Sequence, residues 1–142
     1  MSRSRERSDS PVVLVAAEEW EVLEMVLDAL RRRGYRVVPA RSGQEVIHLA
    51  RGKRPDVILM EIMMPLLDGY RAARVLRRDG ATCAIPIIAF HAPHRLSGTR
   101  GGRGRKDGGT LTPLEEKELT NRIRQALDAR RAGSALGYGF AQ

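Results

Sequence analysis

Short, unbroken apolar runs alternating with stretches of helical period constrain this chain more than any other feature. Val12-Val13-Leu14-Val15-Ala16, Val57-Ile58-Leu59-Met60 and Ile85-Pro86-Ile87-Ile88-Ala89-Phe90 are apolar along their whole length rather than at every second residue. That pattern marks strands buried on both faces. A further short strand is predicted over Tyr35 to Pro39, and the second run is read as a strand over Asp56 to Ile62, introduced by Pro55. Pro86 near the start of the last run is compatible with a strand there.

The intervening segments carry helix signals. Trp20, Leu23, Val26, Leu27 and Leu30 recur three or four residues apart, and Arg31-Arg32-Arg33-Gly34 supplies a basic last turn and a stop. Ser42 with Glu45 three residues on predicts a capping box for a helix through about Arg51. Asp68 can cap a helix from Gly69 to about Arg78, and Leu119, Ile123, Ala126 and Leu127 predict a last amphipathic helix ending before Gly133. Strands alternating with helices of this length imply a parallel sheet covered by helices on both faces. Right-handed crossovers then restrict its topology.

The 142 residues suit one domain, read as a tail over 1–10, a folded unit over 11–130 and a tail over 131–142. The longest apolar run, Val12 to Ala17, is far too short to span a bilayer. Residues 1–10 lack the apolar stretch of a signal peptide, and the single cysteine, Cys83, has no internal disulfide partner. Together these predict a cytoplasmic protein with no membrane partner.

The net charge of +8 is uneven: residues 93–109 carry five basic residues against one acid and hold half of it. The same segment has six glycines and no helical period, so it is expected to be a flexible basic loop where a fourth helix belongs. Arg100, Arg103, Arg105 and Lys106 give it an RGG-like composition that could meet nucleic-acid phosphates, but no aromatic residue is interleaved for stacking. Only three of the 25 basic residues are lysine, so the arginine excess follows a compositional bias and does not by itself indicate nucleic acid.

RPDVILMEIMMPLLDGY, residues 54–70, resembles the receiver domain of bacterial two-component response regulators, with Met63, Met64, Pro65, Asp68 and Gly69 in register. Gly34-Tyr35, Ile85-Pro86-Ile87-Ile88-Ala89 and Thr112-Pro113-Leu114-Glu115 extend the likeness over roughly 11–92 and 110–130. The resemblance implies a CheY-like α/β fold: a doubly wound, five-stranded parallel sheet of order 2-1-3-4-5, here with its fourth helix missing or replaced by the Gly/Arg-rich loop. It also implies phosphorelay chemistry at the C-terminal ends of the strands.

Carried across residue by residue, the resemblance puts Glu61 at the phosphoacceptor aspartate, Ala17 and Glu18 at the magnesium-binding acids, His91 at the switch Thr/Ser and Thr112 at the lysine. Each departs from the family pattern. The extra methylene of Glu61 moves its head group by about 1.5 Å, and misplacement near 1 Å can cost on the order of 100-fold in rate. Ala17 removes an oxygen ligand, which leaves Glu18 and Glu61 as weak metal candidates and predicts that magnesium binds weakly or not at all. Thr112 removes the charge that would stabilise a transferring phosphoryl group. The expectation is a pseudo-receiver without a cofactor.

Glu18, Glu61 and His91 are expected at neighbouring strand ends. His91 could serve as the local cation beside two carboxylates, could ligate a metal with them, or could stand solvated and uncoupled. Trp20 reads either as a partner anchor or as local packing. No nucleophile–base pair or phosphate-cradling loop argues for an enzyme. The reading is a stand-alone receiver that signals by binding another signalling protein, with homodimerisation as one form of such contact. The first and last helices are the favoured surfaces. A nucleic-acid-associated protein working through 95–106 and a small-molecule binder at the altered pocket are the rivals.

Overall fold

A computed structural model describes residues 10–61, 69–91 and 111–132. In chain order these form β1 (Val12–Ala16), α1 (Trp20–Arg32), β2 (Arg36–Ala40), α2 (Gly43–Lys53), β3 (Val57–Glu61), α3 (Gly69–Arg78), β4 (Ile87–Phe90) and α4 (Pro113–Arg131). The described strands make one parallel sheet of order β2-β1-β3-β4. This is the doubly wound arrangement expected, over the first four positions of the order. The expected fifth strand and the 93–109 loop, with Arg100, Arg103, Arg105 and Lys106, lie outside the described residues, as do the tails over 1–9 and 133–142.

The winding follows from connection handedness. The step from β1 to β2 runs one way along the sheet, and the steps from β2 to β3 and from β3 to β4 run the other way. Right-handed crossovers therefore place α1 on one face and α2 with α3 on the opposite face. α1 and α4 are joined through ion pairs from Arg32 and Arg33 to Glu116, at 3.2 and 3.0 Å. β3 is buried throughout and β1 from Val13 onward, and Leu14, Ile58, Leu59, Leu23, Leu30 and Ile123 are among the largest fully buried side chains. Each such side chain contributes about 1.5–3 kcal/mol of transfer free energy.

Two boundaries differ instructively from the sequence reading. β4 begins at Ile87, not Ile85, because the Ile85 N–H is taken by Thr82 O at 3.0 Å in a turn and Pro86 has no N–H to give. α4 begins at Pro113, six residues before the expected Leu119. Thr112 is its N-cap: the Glu115 N–H donates to Thr112 Oγ1 at 3.1 Å, and the Thr112 N–H donates to Glu115 Oε1 at 2.8 Å. With Pro113 in the first turn this is a complete capping box. The box expected at α2 is only half formed. The Glu45 N–H donates to Ser42 Oγ, but the Glu45 carboxylate receives the N–H of Arg41, one residue before the cap.

A pivot at the sheet's N-terminal edge fixes the register. The Val12 N–H donates to Asp56 Oδ2, while the Asp56 N–H donates to Val12 O, both at 2.8 Å. Arg130 of α4 then donates to Asp56 O at 2.9 Å. This ties the last helix to the start of β3.

Candidate functional site

The order of strands reverses between β1 and β3, and in open α/β sheets ligands sit in the crevice beyond the C-terminal ends at that point. Ala16 is registered with Met60, and Glu61 with Phe90. Ala17 therefore follows β1 beside Glu61 at the end of β3, and His91 leaves β4 one residue past the partner of Glu61. The backbone brings Ala17, Glu18, Glu61 and His91 to one end of the sheet, as the sequence predicts.

Their side chains are differently placed. Ala17 is fully buried, and its N–H donates to Ala40 O at 3.2 Å, so the turn after β1 is pinned to β2. Glu61 is buried with 6% exposure, a position where a carboxylate needs a compensating contact. It has one. Glu18 is half-buried, and its carbonyl accepts the Arg41 Nη2–H at 2.8 Å. His91 is exposed and lines a groove of about 150 Å³ between α1 and α4, with Val22, Met25, Glu115, Glu118 and Arg122 among its walls. Thr112 is exposed, with its hydroxyl occupied as the helix cap.

Among the described residues His91 makes no ion pair with Glu18 or Glu61. His91 lines the α1–α4 groove. β4 ends at Phe90, one residue before His91. No group of three His, Cys, Asp or Glu side chains converges among the described residues. Among the described residues, the carboxylates at the carried-over positions are Glu61 and Glu18, because Ala17 contributes a methyl group.

Arg41 was missed by sequence reasoning. It follows β2 directly, and its guanidinium lies 5.7 Å from the centre of the Trp20 ring, which is 47% exposed. Nothing in the periodicity distinguishes Arg41 from other arginines. Only strand adjacency brings it over the β1–α1 turn, where it holds the backbone carrying Glu18 and orders Trp20 at the rim.

Residues 13–99 match the family model of the response regulator receiver domain. The chain is 35% identical over 99 residues to protein PilH of Pseudomonas aeruginosa, covering 69% of this chain and 82% of that protein. It is also 35% identical over 119 residues to a probable transcriptional regulator, ycf27, of Guillardia theta, where the match covers 81% of this chain but 44% of the relative. The chain spans about half the length of the curated transcriptional regulators it matches. Among solved structures, a putative response regulator from Chloroflexus aurantiacus superposes with a TM-score of 0.65 at 25% identity, over 84% of this chain and 99% of that one. The chemotaxis response regulator CheY4 of Vibrio cholerae gives 0.63 at 22%, over 83% and 99%, and supports the fold.

The chain belongs to the response regulator receiver family, and its domain is a module of two-component signalling with the CheY-like parallel α/β fold. No helix among the described residues is long and apolar enough to cross a membrane.

Proposed function

We propose that this receiver has lost phosphoryl acceptance and signals as a pseudo-receiver, through protein–protein contact that does not depend on phosphorylation. The observation that carries this reading is the fully buried Ala17 beside Glu61, where the family places an acid that helps to hold magnesium. Three further features support it. The third-strand carboxylate is Glu61, longer than aspartate and buried. The hydroxyl of Thr112, at the lysine position, is engaged in capping α4. His91, at the Thr/Ser position, lines the α1–α4 groove.

The residues present do not fit a receiver-type magnesium site. A hard divalent cation needs oxygen ligands in near-octahedral array, and a methyl group replaces one of them here. Without the cation and the lysine, charge developing on a transferring phosphoryl group has no adjacent countercharge in this reading. The domain is thus a binding module rather than a phosphoryl-transfer enzyme, and it acts in the cytoplasm on another signalling protein. Trp20 and Arg41 at the mouth are the residue types that anchor interfaces.

Intact mass after incubation with acetyl phosphate and magnesium tests the reading. The expected spectrum shows no added phosphoryl group, and isothermal titration with magnesium gives no saturable heat. Stoichiometric, magnesium-dependent phosphorylation that disappears in Glu61→Gln would overturn it.

A further inference from the structure

The groove between α1 and α4 is open space, about 150 Å³ of it, with an apolar wall and a polar one. Three elements supply the apolar wall. Val22, Met25 and Val26 lie three and four residues apart on one stripe of α1, Phe90 ends β4, and Leu119 comes from α4. The polar wall holds Glu118 and Arg122, one turn apart on α4, and His91, the residue after Phe90.

The fold makes no use of these three side chains. Glu118, Arg122 and His91 are exposed, and among the described residues none of them has an ion-pair or hydrogen-bond partner. Glu115, which also lines the groove, is by contrast engaged: its Oε1 accepts the Thr112 N–H at 2.8 Å. A glutamate four residues before a cation is the order that favours pairing on a helix. The Glu118–Arg122 pair is nevertheless not formed, so a carboxylate and a guanidinium stand apart beside an apolar wall. Arg122 cannot shed its charge.

We propose that this groove binds a free α-amino acid with an apolar side chain, of leucine or phenylalanine size. The ligand ammonium pairs with Glu118, its carboxylate takes the Arg122 guanidinium and a ring N–H of His91, and its side chain lies against Met25, Val26, Phe90 and Leu119. Side chains four apart on a helix are neighbours, about 5–6 Å between Cβ atoms. An α-amino acid carries both its charges on one carbon, so it can bridge that turn with each charge on its opposite. The size agrees as well, since an apolar cavity of roughly 150 Å³ accommodates a benzene ring. Met25 is unbranched and polarisable, and adapts to an aliphatic or an aromatic guest.

Other occupants fit less well. A simple carboxylate would leave Glu118 unanswered beside it, and a simple amine would meet the like charge of Arg122. A metal ion would meet the same repulsion between its two candidate ligands, His91 and Glu118. A partner helix inserts anchors over two turns or more, and this volume receives one side chain. The proposal rests on the groove alone, and it stands or falls independently of whether Glu61 accepts a phosphoryl group.

Titration of the full chain with L-leucine and L-phenylalanine, followed by methyl and amide NMR, tests it. Saturable shifts are expected at Met25, His91 and Leu119, with a dissociation constant on the order of 0.1–1 mM for so small a ligand. Leucinamide, which lacks the carboxylate, and 4-methylpentanoate, which lacks the ammonium, should each bind at least about threefold more weakly, the scale of one exposed ion pair. Glu118→Gln should abolish the advantage of leucine over 4-methylpentanoate, and Arg122→Gln its advantage over leucinamide. Both positions are exposed, and circular dichroism will show that the variants fold. Arg124→Gln, on the same helix but outside the groove, should leave the affinity unchanged. The proposal is overturned if neither amino acid gives saturable shifts up to about 20 mM. It is equally overturned if the shifts map away from the groove, if both groove variants keep the wild-type preferences, or if Arg124→Gln weakens binding as much as Arg122→Gln.

Discussion

Thr112→Ala separates two roles for a residue at the family's lysine position. In the structure Thr112 is a cap. It accepts the Glu115 N–H at 3.1 Å, while its own N–H reaches Glu115 Oε1 at 2.8 Å. Alanine removes the acceptor and leaves a first-turn N–H to water. Thr112 is exposed, so solvent moderates the loss, and the expected cost is about 1 kcal/mol. For a domain of this size, that lowers the thermal midpoint by roughly 2–4 °C. Because the two bonds are reciprocal, Glu115→Ala should overlap with it, and the double variant should lose less than the two single losses added. Thr112→Ser keeps the oxygen and should recover most of the stability. Thermal and urea unfolding of wild type and the four variants measure this. A Thr112→Ser variant as unstable as Thr112→Ala, or strict additivity with Glu115→Ala, would refute the capping argument and return Thr112 to a site role.

Two further outcomes follow from local physics. The Arg33 guanidinium, assisted by Arg32, holds the Glu116 carboxyl below the ordinary carboxylate range. Its folded pKa is thus depressed, so the α1–α4 bridge stabilises fully above the unfolded carboxylate pKa and is lost as pH falls through the folded value. Wild type should therefore lose more stability than Glu116→Gln on acidification below about pH 4.5, and identical pH profiles would refute the bridge; added salt should shrink the difference. Arg54 closes α2 in the left-handed region at φ 47, a conformation that costs a residue with a Cβ about 1 kcal/mol relative to glycine. Arg54→Gly should raise the urea midpoint, and a fall would show that the Arg54 side chain contributes more than its backbone costs.

The elements that were legible in the sequence are those whose signal is local or periodic. The unbroken apolar runs announced β1, β3 and β4, and the three-and-four spacing from Trp20 to Leu30 announced α1. The basic turn before Gly34 marked the end of α1, and Gly34 adopts the positive φ that such a stop uses. The start of α4 was also present in the letters, as Thr-Pro-Leu-Glu-Glu. Thr112 and Glu115, three residues apart, are the two halves of that capping box. The proximity of Ala17, Glu18, Glu61 and His91 could be foreseen because parallel strands of one winding end at the same edge.

What the chain's letters could not decide depends on where side chains meet across elements far apart in sequence. That His91 shares a groove with Glu115 and Glu118 is set by where β4 ends and by the placement of α4. Whether Arg41 is one arginine among many or the brace over Trp20 and Glu18 depends on β2 lying beside β1. The sequence alone determined which segments are strands and helices, because propensity, periodicity and capping act within a few residues. The tertiary structure decided which charges become neighbours, because that depends on sheet order and crossover hand, and no short stretch of chain encodes either.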